Sequence, residues 1–238
     1  MKKQSASVER VAEVLRDRIV KGALPAGARL KERALSLELS VSRTPIREAL
    51  KLLQSDGLVE ISLNKGAQVV GYGAREAVDL FELIAVLEAL AAERIAARMD
   101  TATLARLETL HGRMLRRYEA GDAIAYFDIN TEIHDTIVAA SSNPELIDSH
   151  KRVVARARRG RFLAIMDAER WAEAVGEHEA VMRAFRRRDS EAAARVWRMH
   201  LDNTGATVST ALDGVASGVA LKPEPPAVEA EPAPLAKL

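Results

Sequence analysis

The sequence predicts a mostly α-helical protein: a small N-terminal domain of three helices and a hairpin, followed by a larger all-helical bundle. Aromatic residues are only 4% of the 238 residues, whereas Ala, Leu, Arg and Glu are abundant, a mix that favours helices. Helical periodicity runs through every substantial segment from Ala74 to about Leu212. Hydrophobic residues make up 48% of the chain, enough to bury real cores.

The helices of the first domain are predicted from three successive apolar stripes. The first stripe covers residues 8–21, and a second short helix is expected over residues 32–39. The third helix is expected to have Thr44 as its N-cap and Pro45 at its first helical position, where the missing N–H costs nothing. It ends at the Asp-Gly pair at 56–57.

A two-stranded hairpin completes the first domain. Strand-like runs cover residues 58–61 and 67–70, and Asn64-Lys65-Gly66 between them is a good hairpin turn. Three short helices followed by such a hairpin are the layout of a winged helix-turn-helix.

A break at Gly71-Tyr72-Gly73 marks the predicted domain boundary. Residues 1–73 are expected to form the winged helix-turn-helix domain, and residues 74–215 a bundle of six or so helices. From residue 216 onward Pro, Ala and Glu dominate. Such a segment buries too little apolar surface to order itself, so residues 216–238 are predicted to be a disordered tail.

The composition excludes several classes of protein. Without cysteine the chain has neither a disulfide framework nor a thiolate metal site. Met1 leads directly into a polar stretch, and the chain has no apolar run long enough to span a bilayer. We therefore expect a cytoplasmic protein.

The charge is unevenly divided between the two parts. Residues 1–73 hold 13 Lys and Arg against 8 Asp and Glu, and the rest of the chain holds 22 against 26. The net charges are thus +5 and −4, so the front of the chain suits a polyanion and the back does not. An accident of composition would explain the same split.

Residues at the start of the third helix are candidates for DNA contact, and they are Ser42, Arg43, Thr44 and Arg47. An α-helix fits the major groove, arginine can donate two hydrogen bonds to guanine, and hydroxyl groups suit phosphate oxygens. Lys65 and Gly66 would form the wing tip, where a basic side chain suits the negative minor groove. Taken singly, these features also fit solvated charges and a hairpin that merely caps a small core. Together and in this order, they favour DNA binding.

Four polar residues of the bundle have spacings that suit a metal site. Asn130 and His134 are four residues apart and share one helix face. His178 and His200 lie equally far from Asp189, so an antiparallel helical hairpin would place both about 16 Å from its turn. Three imidazoles and one oxygen donor are a reasonable ligand set for zinc, nickel or a similar ion. Separate core or surface histidines are the alternative.

The first domain resembles the DNA-binding domain of the GntR family over about residues 8–73, through the run LPAGARLKERALSLELSVSRTPIREALKLLQSDGLVEISLNKGAQV. SRTPIREAL followed by GLVE and NKGA is a highly specific signature. The resemblance implies base and phosphate contacts by Arg33, Arg43, Thr44, Arg47, Lys65 and Gly66. Ser40 stands where the family usually has a glycine between the second and third helices, and we expect a small local cost.

The bundle resembles the FCD ligand-binding domain of FadR-type GntR regulators over about residues 76–212. The resemblance lies in FDINTEIHDTIVAASSNPEL and EHEAVMRAFRRRDSEAAARVWRMHL. Many members of that family bind a divalent metal through an acidic residue and three histidines, and the metal helps to hold a small carboxylate effector. The matching positions are Asn130, His134, His178 and His200.

Two positions depart from the FCD pattern. Asn130 replaces the common aspartate and brings no negative charge, so metal affinity should fall. Ile84 stands where many members have an arginine that meets the carboxylate of the effector. Another arginine, from residues 152–161, could supply the cation instead, and Arg156 is the predicted effector-binding residue.

Together the two resemblances imply a sequence-specific transcriptional regulator, usually a repressor in this family, and not an enzyme. A homodimer would pair two recognition helices with a palindromic operator, and an effector, expected to be an organic acid, would change operator affinity. A metal-dependent enzyme is one rival, although no acid or base of evident catalytic spacing accompanies the histidines. An architectural DNA binder whose bundle only dimerises is the other.

Overall fold

The structure, a computed structural model, describes residues 2–62 and 66–216. The described N-terminal part contains α1 (Lys2–Val20), β1 (Arg29–Leu30), α2 (Glu32–Glu38), α3 (Arg43–Ser55), β2 (Val59–Ser62) and β3 (Gly66–Val69). The described C-terminal part contains α4 (Ala74–Ala97), α5 (Thr101–Glu119), α6 (Ala123–Ala140), α7 (Pro144–Ile165), α8 (Ala168–Arg187) and α9 (Ser190–Ala216). The predicted fold class is confirmed.

The predicted hairpin is part of a three-stranded antiparallel sheet in the order β1-β3-β2. β2 and β3 pair up to Ser62 opposite Gly66, while residues 63–65, which hold most of the predicted turn, lie outside the described part. β1 was not predicted, and it places Leu30 opposite Ala67. A strand of two residues is too short to show the alternation by which strands are recognised.

The helices and the sheet of the N-terminal part share one buried core. Its members include Leu15, Ile19, Leu35, Ile46, Leu53 and Val69. Ile46 and Leu53 lie two turns apart on α3, so one face of that helix is buried. The opposite face is left in solvent, and it carries Arg43 and Arg47.

α3 begins two residues earlier than the sequence predicts. Its N-cap is Ser42, in an extended conformation, and not Thr44. Pro45 is consequently the third helical residue. Its missing N–H is still one of the four that any helix start leaves without an internal partner, so proline is tolerated at either position.

Ser40 adopts a φ of 53°, in the left-handed region that favours glycine. The turn is closed by Ser36, whose carbonyl oxygen accepts from the Val41 N–H at 3.2 Å and whose hydroxyl donates to the Val41 carbonyl at 2.7 Å. A residue with a Cβ costs roughly 1 kcal/mol in this conformation, which is the small local cost expected at this position.

Five helices of the bundle begin at side-chain N-caps that accept a backbone N–H three residues on: Asp100, Asp122, Asn143, Asp167 and Asp189. α9 packs along α4 and beside α8. The middle of the bundle therefore receives side chains from helices that are far apart in the sequence.

The two parts of the chain touch each other along α7 and α6. Ala155 of α7 is buried with the apolar core of the N-terminal part. Lys21 Nζ lies 3.0 Å from Asp128 Oδ1 of α6. A boundary at residue 73 stays a prediction, and α4 begins one residue after it.

The predicted tail, residues 216–238, lies outside the described residues except for Ala216, the last residue of α9. Its disorder stays a prediction. None of the helices in the described part of the chain is long and apolar enough to cross a membrane.

Candidate metal centre and candidate nucleic-acid interface

Three histidines from three helices meet in the middle of the bundle. His134 lies on α6, His178 on α8 and His200 on α9, and one ring nitrogen of each lies within 4.8 Å of the others. All three side chains are buried. The ring centroids of His178 and His200 are 4.8 Å apart, as their equal distances from the α8–α9 turn predict. The structure thus brings together the three histidines that the sequence selects.

Asn130 precedes His134 by one turn of α6 and borders the same region. Its Oδ1 is buried and has no hydrogen-bond partner among the described residues. It lines a small cavity of about 10 Å³ together with His200 and residues of α7 and α8. A cavity of that volume holds about one water molecule or one ion.

A carboxylate that the sequence analysis did not select lies behind His134. Glu88 of α4 is fully buried and accepts from His134 Nδ1 at 2.5 Å, His150 Nε2 at 2.8 Å and Trp197 Nε1 at 3.2 Å. The guanidinium Nη1 of Arg161 lies 3.9 Å from it. The available signal was an acidic residue in line with the apolar face of α4, one turn after Ile84.

A second carboxylate lies behind His200. Glu177 of α8 accepts from His200 Nδ1 at 2.6 Å, from Arg170 Nη2 at 2.5 Å and from Asn203 Nδ2 at 2.7 Å. Arg170 Nη2 also donates to the hydroxyl of Thr204 at 3.2 Å. His134 and His200 are therefore each attached to a carboxylate that is itself next to an arginine.

Burial keeps the three histidines uncharged. It lowers the pKa of His134 to about 4, against the attraction of Glu88, and lowers the pKa of His178 well below its usual value. Burial also lowers the pKa of His200, although Glu177 opposes the change. Burial works against ionisation of Glu177, but the hydrogen bonds from His200 and Arg170 lower its pKa to about 2. At neutral pH the cluster therefore presents neutral imidazoles. Each has one nitrogen without a proton, which is the form that binds metals.

The donor atoms present fit a divalent transition metal. Nε2 of His134, both ring nitrogens of His178 and Oδ1 of Asn130 are buried and lack a hydrogen-bond partner within the described part of the chain. Orphaned buried polar atoms are uncommon in folded proteins and call for a ligand or a water. Nitrogen and oxygen donors of this type suit zinc or nickel.

Arg161 supplies a buried positive charge beside the histidines. Its side chain is 2% exposed, and none of its three guanidinium nitrogens has a hydrogen-bond partner among the residues described, although Nη1 lies 3.9 Å from Glu88 Oε1. It lines the cavity with Asn130 and Arg170. The hydroxyl of Tyr126 and Nε1 of Trp171, on the same cavity, are also buried without such partners. The cavity wall is thus rich in donors and suits an anion.

Arg156, the predicted effector-binding residue, does not line this cavity. Its guanidinium pairs with Glu76 and lies 5.8 Å from the centroid of the Tyr72 ring. The side chain therefore lies where α7 meets the start of α4 and the end of the N-terminal part. Ile84, at the position where an arginine is common in the FCD family, is fully buried in the apolar core.

Most of the predicted DNA-contacting residues lie at the start of α3 or on α2. Exposed at the start of α3 are Ser42, Arg43, Thr44 and Arg47, and Arg33 is exposed on α2. Glu32 of α2 accepts from Arg47 Nε at 3.1 Å and Nη2 at 3.0 Å, and from Arg43 Nη2 at 3.3 Å. Gly66 begins β3 with a φ of 77°, whereas Lys65 lies outside the described residues. A carboxylate that the sequence analysis overlooked thus holds both arginines.

Comparison with known families decides what these two regions belong to. The sequence model for bacterial regulatory proteins of the gntR family matches residues 7–69, and the FCD domain model matches residues 79–203. The chain belongs to the GntR family. The predicted family and its FCD domain are confirmed. The matched GntR model is described as one of bacterial regulatory proteins, and the chain spans about half the length of the first curated relatives that it matches.

Several relatives of this GntR-family protein are named as repressors. The chain is 33% identical over 134 residues to the gluconate operon transcriptional repressor of Bacillus subtilis, and the match covers 55% of this chain and 54% of that one. It is 26% identical over 200 residues to the transcriptional repressor GlaR of Escherichia coli, covering 79% of this chain and 89% of that one. The solved structure of E. coli McbR/YncC has the same fold, with a TM-score of 0.76 at 23% identity, covering 86% of this chain and 97% of that one.

Proposed function

We propose that this GntR-family protein is a sequence-specific DNA-binding transcriptional repressor whose operator affinity is controlled by a small metabolite, as in FadR-type members. The observation that carries the proposal is the solvent face of α3, where Arg43, Thr44 and Arg47 stand free of the core. Residues 1–73 would bind DNA, and residues 74–215 would bind the effector and dimerise. The repressor names of two relatives support the sign of regulation.

The DNA contacts follow from the positions of the side chains. Arg43 and Arg47 would donate to guanine in the major groove, while the hydroxyls of Ser42 and Thr44 would bond to phosphate oxygens at the helix start. Arg33 would contact the backbone from α2. The wing would follow the minor groove through Lys65 and Gly66, where the positive φ of the glycine lets the chain turn tightly.

Dimerisation would pair two such domains with a palindromic operator. α4 supports this, because Leu83, Val86 and Leu90 form an apolar stripe and are 47%, 44% and 41% exposed. A second copy of the chain would cover the stripe. Val86→Glu should shift the protein from dimer to monomer in sedimentation velocity, whereas the neighbouring surface change Glu82→Gln should not. A monomeric wild type at micromolar concentration would contradict this part of the proposal.

A divalent metal, zinc or nickel, would be held by His134, His178, His200 and Asn130. The metal would supply a Lewis-acidic charge to which an anion binds. Protein purified without an affinity tag should contain close to one metal ion per chain, and His178→Ala should lose it. Equal and negligible metal in both preparations would remove the metal from the proposal.

The effector would be a small organic acid, bound by Arg161 and not by Arg156. A buried guanidinium without a hydrogen-bond partner is costly, and a carboxylate satisfies it with two parallel hydrogen bonds. The cavity of about 10 Å³ is too small for such a molecule, so binding would require the helices around it to separate. That movement, passed along α7 to the N-terminal part, would change how the DNA-binding domains are spaced.

The deciding experiment is a selection for DNA fragments of the source genome that the protein retains. An enriched palindromic site upstream of a metabolic operon is expected, and the controlled genes would name candidate acids. Addition of the correct acid should weaken operator binding. If a specific site is found but no metabolite of the operon changes its affinity, the protein is an architectural DNA binder.

A further inference from the structure

Each histidine of the cluster has two ring nitrogens, and only a nitrogen without a proton can bind a metal. The nitrogen that carries the proton is decided by the partner of the ring. For His134 and His200 the partner on Nδ1 is a carboxylate, at 2.5 Å from Glu88 and 2.6 Å from Glu177. His178 has no hydrogen-bond partner within the described chain on either nitrogen.

We infer that Glu88 and Glu177 are positioning residues that fix His134 and His200 in the Nδ1–H tautomer, so that Nε2 of both rings is free to bind the metal. The inference rests on the metal site of the proposed function. It assigns roles to two residues that touch neither metal nor effector and act only through the rings.

The groups around Glu88 require it to accept hydrogen bonds. Trp197 Nε1, which can only donate, lies 3.2 Å from Oε2, the oxygen that also contacts His134, and Arg161 Nη1 lies 3.9 Å from Oε1. A contact of 2.5 Å between a carboxylate oxygen and Nδ1 requires a proton between them. The proton of the neutral His134 ring is therefore on Nδ1, and Nε2, which is buried and unpaired, faces the cluster.

The same argument applies to His200, with one rival to exclude. Arg170 Nη2 lies 3.3 Å from His200 Nδ1 and is a donor, so on its own it would favour an Nδ1 without a proton. Glu177 is nearer, at 2.6 Å, and two acceptor atoms at that distance would repel each other. Arg170 also has Glu177 and the carbonyl of His200 to donate to. The short contact decides for Nδ1–H.

Two carboxylates behind the rings also offset the weakness of Asn130 as a ligand. Asn130 offers a neutral oxygen, and the three rings are neutral. A carboxylate that accepts from the far side of an imidazole makes the ring a better donor to the metal. The negative charge that the ligand set lacks is therefore placed one hydrogen bond further out, in Glu88 and Glu177.

The test is Glu88→Gln, which keeps the shape of the side chain. The amide of Gln can donate a hydrogen bond to His134 Nδ1. Nδ1 then no longer has to carry the proton, so the Nε2–H tautomer is favoured. Zinc affinity, measured by competition with a chromophoric chelator, should fall about 10- to 100-fold. Glu82→Gln, an exposed carboxylate on the same helix, is the matched control and should leave zinc affinity unchanged. For Glu177→Gln, the control is Glu169→Gln, an exposed carboxylate on the same helix.

A second readout needs no metal. In metal-free wild-type protein labelled with ¹⁵N-histidine, long-range proton–nitrogen spectra should show His134 and His200 as Nδ1–H tautomers. Glu88→Gln should shift His134, but not His200, away from that form. Protein that shows these tautomers but binds no zinc would refute the proposed metal site and support the tautomer assignment. An Nε2–H ring at His134 or His200 in the wild type, or wild-type zinc affinity in folded Glu88→Gln, would overturn the inference. Should that variant fail to fold, the wild-type spectrum decides alone.

Discussion

Both halves of the chain hold their functional nitrogen groups with a carboxylate, but one does so at the surface and the other in the interior. Glu32 holds Arg43 and Arg47 on the solvent face of α3, whereas Glu88 and Glu177 hold His134 and His200 inside the bundle. The exposed carboxylate of Glu32 competes with water for the two arginines, and in the proposed function DNA phosphates would take its place beside them. The buried carboxylates have no such competitor, so the site they serve is set before any ligand arrives.

The difference follows from solvation. Hydrogen bonds from Arg47 lower the pKa of Glu32, yet both partners remain in contact with water, where ion pairs are weak. Glu88 is fully buried and accepts three hydrogen bonds. Removal of Glu32 should therefore change DNA specificity and lower the free energy of unfolding only slightly. Removal of Glu88 should lower the free energy of unfolding as well as disturb the site.

The largest expected effect is that of Glu88→Ala. It leaves three buried donors without an acceptor and removes the carboxylate that lies 3.9 Å from Arg161 Nη1. The free energy of unfolding should fall by about 3–5 kcal/mol, measured by urea denaturation of the metal-free protein. Glu32→Ala is the surface counterpart and should change it far less. Similar losses in the two variants would erase the contrast between the halves.

A pH titration tests the buried histidines next. Unfolded histidine has a pKa of about 6.5, while that of native His134 is about 4. Below pH 6.5 His134 binds a proton in the unfolded chain but not in the native state. The free energy of unfolding therefore falls as the pH decreases from about 6.5 to about 4. From pH 7 to pH 5 the loss should be about 2 kcal/mol for His134 alone.

Urea denaturation of chelator-treated protein at the two pH values measures this loss. His134→Asn should show a correspondingly smaller pH dependence. An identical dependence in the variant and the wild type would mean that His134 titrates normally in the native state.

A smaller effect is expected from Ser40→Gly in the DNA-reading half. Because Ser40 has a φ of 53°, glycine removes the strain and should raise the free energy of unfolding by about 0.5–1 kcal/mol, part of the gain being lost to the freer unfolded chain. Thermal denaturation measures the change. Ser42→Gly, at a residue with ordinary negative φ, should not stabilise; equal stabilisation by both changes would show that the turn is not strained.

The smallest effect concerns Glu32→Gln. Removal of one negative charge beside Arg43 and Arg47 should raise affinity for random duplex DNA about two- to five-fold at low salt, because phosphate no longer competes with the carboxylate. Discrimination in favour of the operator should decrease, since the arginines lose a fixed orientation. Fluorescence anisotropy with operator and random duplexes measures both, with Glu38→Gln on the same helix as control. Affinities that rise equally for both duplexes would mean that Glu32 repels DNA and orients nothing.

Much of this architecture is predictable because it depends on periodicity and spacing. The helices of the bundle begin at Asp and Asn caps that the sequence displays, and equal distances from Asp189 place His178 and His200 side by side. β1 and the true start of α3 were missed, since a two-residue strand and a shift of two residues leave little trace in a pattern.

The polar environment of each site was the part that the sequence could not provide. Glu88 contacts His134, and Glu177 contacts His200, in each case from a different helix, so no local spacing in the sequence connects the partners. Among the arginines of α7, Arg156 and Arg161 look alike in sequence, yet Arg156 lies against Tyr72 and Arg161 lines the cavity beside Asn130. Which arginine is buried depends on how α7 rotates in the bundle, and tertiary packing decides that.

The most direct test of a DNA-reading front and a sensing back uses wild type, Arg47→Ala and His178→Ala together. Each protein is used to select binding sites from random DNA, and its metal content is measured on the same preparation. We expect wild type and His178→Ala to enrich the same palindromic motif, Arg47→Ala to lose that motif while keeping its metal, and His178→Ala to lose its metal. Loss of both properties in either folded variant, or enrichment of the wild-type motif by Arg47→Ala, would contradict the division of labour proposed for the two halves.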